Sequence, residues 1–262
     1  MPVKYALVTG AASGMGRCYA LQLAQMGYGV LLVDINNAAL QPLSLQITEQ
    51  YSVPAPAVCI DLCRPDAAEQ ILTQCRVSHW QVEVLVNNAG MLITSTIEET
   101  HPERLRQIVA LHCITPMLLC RLFVPLMKEQ GGGYILNISS ISAWMDWPVI
   151  GMYGTTKRFV KAYSRQLNLE CYGSGVSITT AFFGAVDTPL LEGLTLTRFR
   201  KLMFALGLMI TPEKASSLAL KAMFRRKATL VPGFLNRLAI LFCPLFPAWF
   251  LRYMAHKVKI VE

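Results

Sequence analysis

Three features of this sequence predict a doubly wound α/β fold: one domain with a seven-stranded parallel sheet flanked by helices. Seven apolar runs alternate with helical patterns along the chain, the order expected of a parallel sheet. The first two runs enclose a glycine turn and a helix within about 34 residues, which is a βαβ unit. Finally, 262 residues that are 53% hydrophobic and 15% charged can bury one substantial core and are too apolar for a disordered chain.

The first run, residues 3–8, is rich in β-formers and ends at Thr9 and Gly10. The turn GAASGMGR at 10–17 holds three glycines. A helical pattern, CYALQLAQMG, follows with apolar residues at Ala20, Leu23, Ala24 and Met26, and Gly27 suits the position just past its end. GVLLVD at 29–34 is a second buried strand, ending in Asp34. The glycines let backbone approach a pyrophosphate at which the helix N-terminus points. Asp34 lies about 20 residues beyond the turn, where an acid accepts both hydroxyls of an adenosine ribose and repels a 2′-phosphate. Neither Ser13 nor Ile35 offers that phosphate a cation, so NAD(H) is expected in preference to NADP(H). The plainer reading of Asp34 is an ordinary strand-end acid.

A second helix is expected over 39–51, a third strand over 55–62 and a third helix over 65–76 with Pro65 in its first turn. VEVLVNNAG at 82–90 is the fourth strand, closing in the turn Asn87-Asn88-Ala89-Gly90. Residues 98–130 read as one long helix or two, broken or kinked at Pro116. YILNIS at 134–139 is the fifth strand and leads into Ser140. The next helix starts at Tyr153 and ends near Gly173, and VSITTAFF at 176–183 is the sixth strand. Thr211, Pro212 and Glu213 supply an N-cap, a proline at N1 and a first-turn acid for another helix. ATLVPG at 228–233 is the seventh strand.

Tyr153 and Lys157 are four residues apart and share a helix face. Ser140 precedes Tyr153 by thirteen residues at the end of a buried strand; Ser142 competes at a spacing of eleven. A hydroxyl, a phenol and an ammonium brought together form a proton-transfer device.

TGAASGMG at 9–16, NNAG at 87–90, Ser140 and the Tyr153–Lys157 pair occur in the order and at the spacings of the short-chain dehydrogenase/reductase family, which the chain resembles over roughly residues 3–232. The resemblance implies an NAD(P)-dependent oxidoreductase acting on CH–OH groups, with Ser140, Tyr153 and Lys157 catalytic. Tyr153 would exchange the proton, Lys157 would lower its pKa and hold the nicotinamide ribose, and Ser140 would orient the reacting oxygen. It implies cofactor contacts at Gly10, Ser13, Gly14, Met15, Gly16, Asp34, Asp61, Leu62, Asn87, Ala89, Gly90, Tyr153, Lys157, Val186 and Thr188. Asp61 would meet the adenine and Thr188 the nicotinamide carboxamide. The helices over 98–130 and from Tyr153 would form a homodimer or homotetramer interface. Two positions depart from the pattern. His112 stands where the family has an asparagine that holds a relay water, and is either a helix histidine without a catalytic part or a relay member itself. Phe183 replaces a proline.

The last quarter carries the charge. Residues 198–262 hold 12 of the 24 basic and 2 of the 16 acidic residues, a net of +10, against −2 for the first 197. No nucleic-acid motif accompanies it, so an anionic membrane face or substrate is the better match and no nucleic-acid partner is expected. Residues 1–234 are taken as the dehydrogenase domain, with an apolar lid over about 189–211, and 235–262 as an amphipathic basic extension. That extension is read as a membrane-surface segment, a cover for the substrate pocket, or an oligomer contact. Trp144, Met145, Trp147 and Pro148 suit the wall of an apolar pocket. The expected substrate is therefore a hydrophobic ketone or secondary alcohol, steroid-like or lipid-like. Of eight cysteines only Cys59 and Cys63 are close, with no histidine at a metal spacing, so reduced thiols, no metal and a cytoplasmic location are expected. The competing function is a non-catalytic NAD-binding or membrane-surface interaction protein that keeps the fold.

Overall fold

The computed structural model describes residues 3–146, 150–191, 204–205, 207–247, 249 and 251–253. Most of the expected lid, Trp147, Pro148 and the end of the extension lie outside the described residues.

The chain opens with β1 (Lys4–Thr9), α1 (Gly14–Gln25), β2 (Gly29–Asp34), α2 (Asn37–Tyr51), β3 (Ala57–Cys59), α3 (Ala67–Val77) and β4 (Gln81–Asn87). Then come α4 (Pro102–Val109), a π turn (Ala110–Ile114), α5 (Thr115–Glu129), β5 (Gly133–Ser140), a 3₁₀ turn (Ile141–Trp144), α6 (Gly151–Glu170) and β6 (Val176–Phe183). The short β7 (Ala185–Val186) and β8 (Met209–Ile210) form a separate parallel pair. The helix α7 (Pro212–Phe224), the strand β9 (Thr229–Leu230) and the helix α8 (Phe234–Phe242) follow.

The main sheet has seven parallel strands in the order β3-β2-β1-β4-β5-β6-β9. Its direction of winding reverses between β1 and β4, and the C-terminal ends of strands at such a switch point leave a crevice for a ligand. Side chains alternate across the sheet. Ala6 and Val8 face the layer of α1, α2 and α7, with Tyr19, Leu23, Leu40 and Leu220. Leu7 faces the layer of α3, α5 and α6, with Ile71, Phe123, Met127 and Leu167. Both faces of the central strands are covered, so β6 is buried along its whole length and β2 along all but its last residue.

The helix ends follow local chemistry. Thr211 Oγ1 accepts from Lys214 N at 3.3 Å ahead of Pro212 at the start of α7. Gly27 follows α1 with φ +88°, a conformation that favours glycine. The third and seventh strands are shorter than their apolar runs because β2 and β6 hold them over only a few registered residues. The expected break at Pro116 is a π turn ending two residues earlier, and Pro116 lies in the first turn of α5. The span 102–129 is long and apolar enough to cross a bilayer, yet Leu119, Phe123 and Met127 are buried against the sheet. The expected boundary at residue 234 falls at the start of α8, whose Asn236 is buried; a Cβ on Gly184 would lie 2.7 Å from its Oδ1.

Candidate active site

A cleft of about 750 Å³ opens at the switch point, within the range of small-molecule sites. One end is built by the turn between β1 and α1. Gly10 and Gly14 have φ of +66° and +50°, and each also lies against a neighbour. A Cβ on Gly10 would sit 2.9 Å from Ala89 Cα, and one on Gly14 would sit 3.2 Å from Thr188 Cγ2. The turn is thus held between the end of β4 and the segment after β7. Ser13 caps α1 without a side-chain bond, and the first turn of α1 has no acid. Its first amides are left to an anion, as a pyrophosphate site requires.

Asp34 stands at the end of β2. Its Oδ2 accepts from Ala12 N and its Oδ1 from Asn36 N, both at 3.0 Å. These bonds fix the carboxylate in the cleft wall, beside the exposed Ile35. Asp61 Oδ1 accepts from Cys63 N at 2.8 Å, which shapes the turn after β3. The residues present therefore fit a dinucleotide: a glycine cradle, an uncapped helix end and an anchored acid.

Most residues expected at the cofactor do line this cleft: Gly10, Ser13, Gly14, Met15, Asp34, Asp61, Leu62, Ala89, Gly90, Tyr153, Lys157, Val186 and Thr188. Gly16 and Asn87 do not. A Cβ on Gly16 would come within 1.8 Å of Gly10 O, so its role is to close helix on turn. Asn87 is buried below the cleft, its Nδ2 donating to Asn137 Oδ1 at 2.8 Å across β4 and β5. Asn88, the second amide of the NNAG turn, does line it, and its Nδ2 donates to Thr9 O at 2.9 Å. Thr9 Oγ1 in turn accepts from Asn88 N and Ala89 N at 3.0 and 3.1 Å. The repeated amide–glycine composition of 87–90 could have signalled both asparagines, but only the fold shows which one faces the cleft.

The other end holds the proton-transfer set. Ser140 ends β5 and its Oγ accepts from Ser142 N at 3.2 Å, which starts the 3₁₀ turn. Ser142 is buried, and its hydroxyl has no hydrogen-bond partner among the described residues. Tyr153 and Lys157 face the cleft from α6. Lys157 is 5% exposed and its Nζ donates to Ile138 O at 3.0 Å, 5.5 Å from the Tyr153 ring centroid. Ser139 Oγ ties the Lys157 carbonyl to β5 at 3.0 Å. Burial pushes the Lys157 ammonium down to about 8. Burial also pushes the Tyr153 phenol up to about 12, against a hydrogen bond with Ser140 that lowers it. Burial thus disfavours the Tyr153 phenolate more than the Ser140 hydrogen bond favours it.

Between the ends the walls are apolar, with Met91, Leu92, Ile141, Met145, Ile150, Leu190 and Leu191. Trp144 does not join them. It packs on Phe182 with ring centroids 4.4 Å apart, and Lys161 Nζ lies 4.1 Å from its ring centroid. Phe183, in the place of the expected proline, is buried and registers with Ser140 across β5 and β6. All eight cysteines are free, and among the described residues no cluster of three or more His, Cys, Asp or Glu could hold a metal.

The model of the short chain dehydrogenase family matches residues 4–198. A 1-deoxy-11-beta-hydroxypentalenate dehydrogenase of Streptomyces exfoliatus is 30% identical over 201 residues, 76% of this chain and 73% of that one. A 3-ketoacyl-(acyl-carrier-protein) reductase of Brucella melitensis, solved with NADH, is 26% identical, with a TM-score of 0.78 over 87% of this chain and 96% of that one. A short-chain dehydrogenase of Sphingobium yanoikuyae, solved with NADPH, has the same fold at 24% identity, with a TM-score of 0.78 over 99% of this chain and 96% of that one.

Proposed function

The chain belongs to the short-chain dehydrogenase family of oxidoreductases acting on CH–OH groups, and from that premise we propose that it interconverts an apolar secondary alcohol and its ketone with NAD(H), Tyr153 exchanging the proton. The observation that carries this reading is the meeting of Ser140, Tyr153 and Lys157 at one end of a cleft whose other end is the glycine turn and Asp34.

The bound dinucleotide supplies the hydride chemistry. In reduction Tyr153 donates a proton to the carbonyl oxygen; in oxidation it removes the alcohol proton. Ser140 holds the reacting oxygen at the phenol. The Lys157 charge would favour the phenolate, against the burial that raises the phenol. Lys157 Nζ uses one of its three donors on Ile138 O, which leaves two for a ribose hydroxyl and the proton path.

Asp34 supports NAD(H) over NADP(H), since a 2′-phosphate beside its anchored carboxylate would place two anions together. The apolar walls support a bulky hydrophobic substrate, and the hydroxypentalenate named for the Streptomyces relative agrees with that class. The extension supports contact with an anionic membrane face. Residues 214–261 contain no Asp or Glu, and α8 leaves Phe234 and Leu241 exposed. Exposed Phe159 and Leu169 on α6 support the expected contact between subunits. Five buried free thiols support a reducing, cytoplasmic setting.

Tyr153→Phe tests the reading. With NADH and a panel of apolar ketones, turnover should fall by about a hundredfold or more, while NADH titration by fluorescence stays at the wild-type affinity. Near-full activity in the variant would remove Tyr153 as the acid/base.

A further inference from the structure

His112 places a buried imidazole beside Tyr153, at the middle of the π turn Ala110–Ile114, a helix irregularity often found at functional sites. The ring is 2% exposed and makes two hydrogen bonds. Its Nε2 accepts from the Met91 amide at 3.0 Å. Its Nδ1 lies 2.8 Å from Thr156 Oγ1, and that hydroxyl donates to the Tyr153 carbonyl at 2.9 Å. A backbone amide can only donate, so Nε2 carries no proton. The hydroxyl has its one proton on the carbonyl, so Nδ1 is the donor. The partners therefore select a single neutral tautomer. An imidazolium would turn an Nε2–H toward the Met91 N–H and break that bond.

The ring joins two parts of the cleft. Met91 follows the turn that closes β4, and Thr156 immediately precedes Lys157 on α6. The ring also meets Tyr153 edge-on, with centroids 5.7 Å apart and planes at 77°. Gly90 makes room for this approach, since a Cβ there would lie 2.9 Å from Nε2. The ionisable groups around the ring are Tyr153 and Lys157 from α6 and Cys113 from its own turn; residues 87–91 bring none. Burial first, and the Lys157 charge second, hold the imidazole well below its ordinary pKa, in the same sense as the geometry.

We propose that His112 is a positioning residue, a permanently neutral clamp that fixes the Gly90–Met91 wall of the dinucleotide cleft to the helix bearing Tyr153 and Lys157. It stands in for the asparagine of the family pattern without carrying a relay proton. Its consequence for turnover rests on Tyr153 being the acid/base; the clamp itself is judged by spectroscopy and binding.

Long-range ¹H–¹⁵N spectra of the full chain, recorded from pH 5.5 to 9 and assigned by the signals lost in His112→Gln, should show His112 as the Nδ1–H tautomer throughout, with exposed His79 and His101 as controls. His112→Leu keeps bulk but gives Met91 no acceptor, and should weaken NADH binding about tenfold. His112→Gln returns an acceptor and should recover most of that loss. On whichever ketone the wild type reduces, His112→Gln should keep the wild-type pH profile. A ring that titrates or sits as Nε2–H, a glutamine variant as impaired as leucine, a shifted pH profile, or wild-type NADH binding in the leucine variant would each overturn the clamp. If His112→Leu does not fold, the wild-type spectra and the glutamine variant decide alone. Retained activity in Tyr153→Phe would instead remove the acid/base reading and leave these spectra and titrations standing.

Discussion

At Lys157, burial works against charge. The unfolded chain holds this proton up to its ordinary value near 10.5, and the folded chain only up to about 8. Between those values the unfolded state binds more protons, so this residue's contribution to stability rises with pH across that window and is at its worst below pH 8. Lys157→Met should therefore stabilise the ligand-free protein at pH 7, by up to roughly 3 kcal/mol less the bond lost to Ile138 O. The gap from wild type should close towards pH 10.5 in urea unfolding; a pH-independent gap would contradict it. The same variant should lose turnover, which sets stability against function at one residue. Asp34 is held in the cleft wall by hydrogen bonds from Ala12 N and Asn36 N. Asp34→Ser should shift the NADH/NADPH affinity ratio toward NADPH by about tenfold or more, read by fluorescence titration. Such residues were legible from residue type and spacing alone. The state of His112 was not, because its tautomer depends on Met91 and Thr156, which lie 21 and 44 residues away.

Local elements followed local patterns where the pattern was strong. The glycine turn, α1, β2 and β6 lie where apolar periodicity and caps put them. Misjudged elements were those decided by neighbours. β3 and β9 shrink to their paired residues, and the π turn replaces a proline kink. Two glycines, one inside α1 and one just past its end, show how context sets the cost of a side chain. Gly16→Ala drives a Cβ into Gly10 O and should lower stability by about 3 kcal/mol or more. Gly27→Ala has φ +88° but open space, and should cost about 1 kcal/mol. Urea midpoints of the two variants compare them directly, and equal losses would refute the close-approach account of Gly16.

For the whole molecule, the charge of the last quarter and the exposed face of α8 make one further prediction. Leu241→Glu with Leu245→Glu, both at exposed positions, should reduce sedimentation with phosphatidylserine vesicles while leaving binding of NADH unchanged. Equal sedimentation would remove the membrane contact. The sequence by itself determined the βαβ order, the parallel sheet, the glycine turn with its acid, and the serine, tyrosine and lysine. Each is written in contacts within a few residues or in a pattern that burial on both sheet faces imposes. The tertiary structure alone decided that Asn88 rather than Asn87 lines the cleft, that Trp144 packs away from it, that burial raises the Tyr153 phenol, and that His112 bridges two walls. Those outcomes depend on which side of a turn faces the switch point and how much water remains there, and only the packing of distant segments sets either.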